Sequence, residues 1–219
     1  MNENVYVEGL NLVCGGLLLS AVLILWRREL SAIVRLLALQ GGLLTVLAAL
    51  LGIHERNGDL LLVAAGVLVL KVIGLPAVLR RVLQTTTEDR ESEPLVNVTA
   101  SLLAAALITL AAYALSRPLV ALAPSPATQA LPVGIAMVFL GFFVMITRRR
   151  ALSQIVGFLI LDNGISATAF LAAAGVPLIV ELGVSLDVLL VVLVLQVLTA
   201  RMRLAFGNTD LDELHELHD

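Results

Sequence analysis

The chain has 219 residues, of which 59% are hydrophobic and only 14% charged, with a formal net charge of −3; its mean hydropathy is +1.01. A soluble domain of this length carries about 25% charged residues, whereas here clustered charges alternate with apolar stretches of roughly 20 residues, the length that crosses a bilayer as a helix. These properties exclude a soluble domain and describe an all-α, polytopic membrane protein with almost no soluble mass.

Cys14 is the only cysteine, which excludes an internal disulfide, a zinc ribbon and a self-contained iron–sulfur cluster. The first nine residues carry Glu3 and Glu8 but no Lys or Arg, so they lack the basic start of a cleaved signal and the first apolar run is expected to be a retained helix. That run covers residues 10–26 and is closed by Arg27-Arg28-Glu29; a second span, 30–53, contains Arg35 and Gln40. After a polar loop at 54–59, a third span at 60–83 has Lys71 near its middle, with Gly74 and Pro76 just beyond. Pro76 removes a backbone donor and is expected to kink this helix near Lys71.

The most hydrophilic internal segment, 84–94, includes Glu88-Asp89-Arg90-Glu91 and precedes a fourth span at 98–115. Four prolines at 118, 124, 126 and 132 predict an extended or turn-rich interfacial loop over 116–132. Further spans are expected at 133–147, 151–173 and 177–200, followed by a short acidic tail at 208–219. With the N-terminus outside, inner segments hold Arg27, Arg28, Arg80, Arg81, Arg90, Arg148, Arg149, Arg150, Arg201 and Arg203, and outer segments only Arg56 and Arg117. That bias places the C-terminus in the cytoplasm of a cell with a cytoplasmic (inner) membrane.

The chain also resembles itself. Arg27-Arg28-Glu29-Leu30-Ser31-Ala32-Ile33-Val34 matches Arg149-Arg150-Ala151-Leu152-Ser153-Gln154-Ile155-Val156 at an offset of 122, with six of eight positions identical. At that offset Gln40-Gly41-Gly42 falls on Asp162-Asn163-Gly164, and a looser match brings Lys71 within one position of Asp187. The domain reading is therefore an N-terminal three-helix repeat (1–83), a polar loop plus linking fourth helix (84–132), a C-terminal three-helix repeat (133–207) and the tail (208–219). The linking helix lets the second copy keep the orientation of the first, so the repeat is parallel, about an axis along the membrane normal.

Lys71, Asp162 and Asp187 sit near the middle of their spans, where each charge costs about 2.5 to 3.5 kcal/mol to insert. They must face protein, water or one another. Two readings stay open from the residues themselves: a structural lock in which Lys71 pairs with an aspartate, and a relay in which a shielded carboxyl changes protonation state. Glu181, Gln40, Asn163 and Arg35 are possible relay or lining residues. Glu181 is nearer the outer end, Arg35 is close enough to the inner end to snorkel, and Asn163 with Gly164 offers a hydrogen bond and room beside Asp162. His215 and His218, with Glu213 and Asp219, read as a solvated tail rather than a metal site. No phosphate loop, nucleophile constellation or nucleic-acid patch is present, so no catalytic, cofactor or metal residues are assigned.

Residues 133–203 resemble the three-helix K subunit of respiratory complex I and the C subunit of multisubunit sodium/proton antiporters, on Arg149-Arg150, Asp162 and Asp187. In that alignment the complex I glutamate of the second helix falls on Leu159, one turn from Asp162. Over its whole length the chain is similar to component E of hydrogenase-4-type complexes, on Arg148-Arg149-Arg150, Val156-Gly157-Phe158-Leu159, Leu161-Asp162-Asn163-Gly164 and Glu181-Leu182-Gly183-Val184-Ser185-Leu186-Asp187. The resemblance implies a non-catalytic membrane-arm subunit lying between antiporter-like subunits and the membrane anchor of a hydrogenase module. It implies no cofactor in this chain, nickel–iron and iron–sulfur centres in partner subunits, and intramembrane acids on a proton or sodium translocation axis. The alternatives are a purely structural adaptor and a subunit of a hydrogenase-free cation/proton antiporter.

Overall fold

The computed structural model describes residues 2–27, 29–84, 96–148 and 151–173. Among them every regular element is a helix: α1 (Glu3–Trp26), α2 (Leu30–Glu55), α3 (Gly58–Val67), a π-helical segment (Leu68–Gly74), α4 (Leu75–Gln84), α5 (Val98–Leu122), α6 (Pro126–Gln129), α7 (Leu131–Thr147) and α8 (Ala151–Ala173). Among the described residues six helices are long and apolar enough to cross a membrane: Glu3–Trp26, Leu30–Glu55, Gly58–Arg81, Val98–Leu122, Pro126–Thr147 and Ser153–Ala172. The chain is thus the all-α membrane protein its composition describes. The span expected at 177–200, with Glu181 and Asp187, lies outside the described residues, as do Arg149, Arg150 and the tail.

The helices pack along seams of about 3.5 residues. On α1 the buried positions include Leu10, Cys14, Leu17, Ala21 and Ile24, and on α2 Leu37, Gln40, Leu44, Leu47 and Leu51. That spacing belongs to helices crossing at shallow angles, which keeps one stripe against its neighbour over many turns. The opposite stripe of α1, Val5, Leu12, Leu19 and Trp26, is exposed and equally apolar, because hydrocarbon rather than water covers the outside of a membrane bundle. Shielding is uneven: 72% of the apolar window of α8 is buried but only 17% of that of α5. α8 is the element best able to carry a charge, and α5 forms a rim.

α8 is shielded chiefly because α7 packs directly on its backbone. A Cβ added to Gly141 would lie 2.5 Å from Leu161 N, and one added to Gly164 would lie 2.6 Å from Val138 N. Glycines at such positions allow two helix backbones to touch, the usual way membrane helices gain packing without a hydrophobic drive between them. α1 and α7 run the same way. Arg148, which follows α7, lies against the last turn of α1, with its Nη2 donating to Leu25 O at 3.2 Å.

Three boundaries differ from the sequence expectation. α1 starts at Glu3, two turns before the apolar run, and these turns pack through Tyr6, which is buried and stacks on His54 with ring centroids 3.8 Å apart. The kink expected at Pro76 takes the form of the π-helical segment, in which Leu75 N–H donates to Leu70 O. One residue is absorbed upstream of the missing donor, and the helix then continues as α4. The proline-rich segment is also more helical than expected: α5 runs through Pro118 to Leu122. Ser116 Oγ donates to Tyr113 O at 3.2 Å in the turn before the proline. Ser125 and Thr128 then form a reciprocal capping box that starts α6, with Pro126 in its first turn.

The glycine contacts predict opposite outcomes at two positions that the repeat offset aligns. Gly164→Ala should destabilise the protein by about 1 to 3 kcal/mol, the cost of overpacking. At Gly42 nothing lies within 4 Å of an added Cβ; there alanine should be neutral or gain about 0.5 to 1 kcal/mol from lower chain entropy. Thermal unfolding midpoints in detergent check this, and equal effects at both sites would contradict the packing.

Candidate functional site

A layer of polar side chains crosses the bundle near mid-span. Lys71 and Asp162 each lie roughly 15 Å of helix rise from the nearer end of their span, at depths where neither can reach an interface. α8 places Asp162 and Ser166 one turn apart on one face. Lys71 Nζ lies 2.8 Å from Asp162 Oδ2 and donates to Ser166 Oγ at 2.9 Å. The three residues are 3%, 3% and 2% exposed, so the ion pair is closed off from lipid.

The layer continues through amides. Asn163 Nδ2 donates to Gln40 Oε1 at 2.9 Å. Gln40 Nε2 makes a long 3.5 Å bond to Leu17 O, which also accepts from Ser20 Oγ at 2.7 Å. Gln40, Asn163 and Ser20 are buried. Backbone approach sets the spacing: a Cβ on Gly41 would lie 2.9 Å from Lys71 O, so α2 sits directly against the π-helical turn that carries the lysine. Beside Lys71 a cavity of about 10 Å³ is lined by Leu37, Leu75, Pro76, Leu79, Leu159 and Asn163, room for about one water.

Four sequence candidates, Lys71, Asp162, Gln40 and Asn163, therefore meet in one layer. Arg35 does not join them; it is exposed on the outer face of α2. Asp187 and Glu181 lie outside the described residues. One participant, Ser166, is not among the sequence candidates, although a hydroxyl four residues after a buried acid on a helix is a readable signal. Outside this layer, Arg148, a topology marker and part of the arginine triplet that carries the resemblance, is 8% exposed and bonded to the C-terminal turn of α1, where the helix dipole favours a cation.

The bonds between Leu25 and Arg148 and between Gln40 and Asn163 both join residues 123 apart, one position more than the repeat offset. These bonds tie segments far apart in sequence at two levels of the bundle.

The chain is 52% identical over 206 residues to the "Uncharacterized protein Rv0085" of Mycobacterium tuberculosis, covering 94% of each sequence. It belongs to the family of that protein. It is also 25% identical over 159 residues to "Hydrogenase-4 component E" of Escherichia coli K12 and to the protein of that name in Shigella flexneri, covering 73% of this chain and 74% of each relative. No family model and no solved structure matches the chain.

Removing one partner of a shielded ion pair leaves an uncompensated charge, which costs about 3 to 5 kcal/mol, whereas removing both is far milder. Lys71→Met and Asp162→Asn alone should therefore each lower stability strongly, and the double variant should recover most of the loss. Unfolding in mixed detergent measures the cycle; additive single effects would show that the two side chains are not coupled.

Proposed function

We propose that the chain is a non-catalytic membrane-arm subunit of a hydrogenase-type, complex I-like assembly, and that its mid-span polar layer is part of a proton or sodium translocation axis. The observation that carries the reading is the buried Lys71–Asp162 pair with Ser166. Charge at this depth is expensive, and in membrane proteins it marks ion or proton pathways by default. The similarity to hydrogenase-4 component E supports membership of such a complex.

On this reading antiporter-like subunits and the membrane anchor of the hydrogenase module are the partners, and nickel–iron and iron–sulfur centres reside in other subunits. Asp187 and Glu181, outside the described residues, are the further acids that the sequence offers to such an axis. The arginine-bearing end, with Arg27, Arg80, Arg81 and Arg148, faces the cytoplasm, which puts the N-terminus outside. One second reading has an observation of its own. Lys71 is held by both Asp162 and Ser166, as a lock between helices requires, and the chain is then a structural adaptor.

The test is purification of the chain with its native partners, followed by hydrogen-driven ion movement in vesicles. Nickel–iron and iron–sulfur subunits should co-purify, and Lys71→Met and Asp162→Asn should uncouple ion movement while hydrogen turnover continues. Unimpaired pumping in both variants at full assembly would leave the adaptor; partners without metal centres would point to a hydrogenase-free antiporter.

A further inference from the structure

We infer that the lipid-facing flank of the α1–α2 hairpin, at its arginine-bearing end, holds an anionic phospholipid whose phosphate is bound by Arg35. Arg35 lies five residues beyond Leu30, the first residue of α2, or about 7.5 Å of helix rise. It is exposed on the outer face and makes no hydrogen bond or ion pair among the described residues. The outer stripe beside it carries Ser31, Leu39, Gly42 and Val46 and no acid. A guanidinium at that depth on a lipid-covered face is costly unless an anion meets it. Helical side chains lean toward the N-terminal end of their helix, so Arg35 reaches toward Ser31, one turn nearer the interface.

The rest of the flank has the form of a phospholipid. At its interfacial end Trp26, 54% exposed, lies under Arg27, whose Cζ is 5.4 Å from the ring centroid. Tryptophan favours the headgroup level, and a guanidinium stacked on an aromatic face keeps its N–H edge for a phosphate. Residues 27–35 hold three arginines and one acid, Glu29. That acid accepts from Ser31 Oγ at 2.6 Å, and positive charge remains in excess. Deeper along α2, a Cβ added to Gly42 would meet nothing within 4 Å. The helix therefore has an open notch at the level between Leu39 and Val46, both exposed, in which an acyl chain can lie. Charge above and an apolar notch below select a lipid over a soluble anion. The excess of arginine selects a headgroup without a cation of its own. A partner subunit's carboxylate would meet the arginine but would leave the notch unused. Lipid binding there does not require the chain to move ions.

Trp26 is the single tryptophan of the chain and reports from the site itself. The full chain is placed in phosphatidylcholine vesicles containing a small fraction of lipid with brominated acyl chains, which quench a tryptophan they touch. Brominated phosphatidylglycerol should quench Trp26 at about a tenth of the mole fraction that brominated phosphatidylcholine needs, the preference conferred by a hydrogen bond to a charged group. Arg35→Gln should bring the two lipids onto one curve. Arg117→Gln, at the opposite end of the bundle, should leave the preference intact. Equal quenching by the two lipids in the native chain overturns the site without recourse to any variant, as does a preference that survives Arg35→Gln. Purified with its native partners, Arg35→Gln should keep every subunit; loss of a subunit would assign Arg35 to a protein carboxylate and overturn the lipid.

Discussion

The bundle is organised around the cost of keeping Lys71 and Asp162 out of water. Two opposite charges at mid-span are tolerable only if they meet and stay shielded, and each neighbouring feature serves that condition. Asp162 lies on the most enclosed helix of the described bundle, whose burial follows from the contact of Gly141 and Gly164 with the backbone opposite. Lys71 lies in a π-helical turn upstream of Pro76, and Gly41 lets α2 close over that turn. Ser166 supplies the second acceptor for the ammonium. A larger residue at Gly41 or Gly164 would open the layer from a distance, without touching either charge.

Two bonds join residues 123 apart in the chain. Gln40 and Asn163 meet at mid-span, and Leu25 and Arg148 meet at the arginine-bearing end. The aligned segments then diverge in chemistry: Gln40 is neutral where Asp162 is acidic, and the base of the layer is Lys71, from the N-terminal half. The ion pair therefore joins the span that carries Lys71 to α8.

Much of this was legible in the residues. Apolar length marks the spans, and mid-span charges mark Lys71 and Asp162 because nothing else makes them affordable. Which face of each helix points inward was not legible, since Leu12 and Leu19 on the lipid side of α1 are as apolar as Leu10 and Leu17 within it. A membrane removes the polar–apolar contrast that reveals orientation in soluble helices. The continuation of α5 through Pro118 differs from the sequence expectation because proline reads as a breaker, whereas a membrane helix tolerates it. Arg35 looked like a candidate by type alone; its direction, outward, is a matter of helical phase. Arg148 was hidden in a triplet whose topological meaning was sufficient in itself.

The central claim is that Asp162 rests as the charged partner of Lys71. Infrared difference spectroscopy of the membrane-embedded protein against its Asp162→Asn variant reads this directly. The account predicts the loss of carboxylate bands on substitution, with no change in the protonated-carboxyl region. A protonated-carboxyl band that disappears in the variant would show a neutral acid at rest and contradict the ion pair on which the bundle is built.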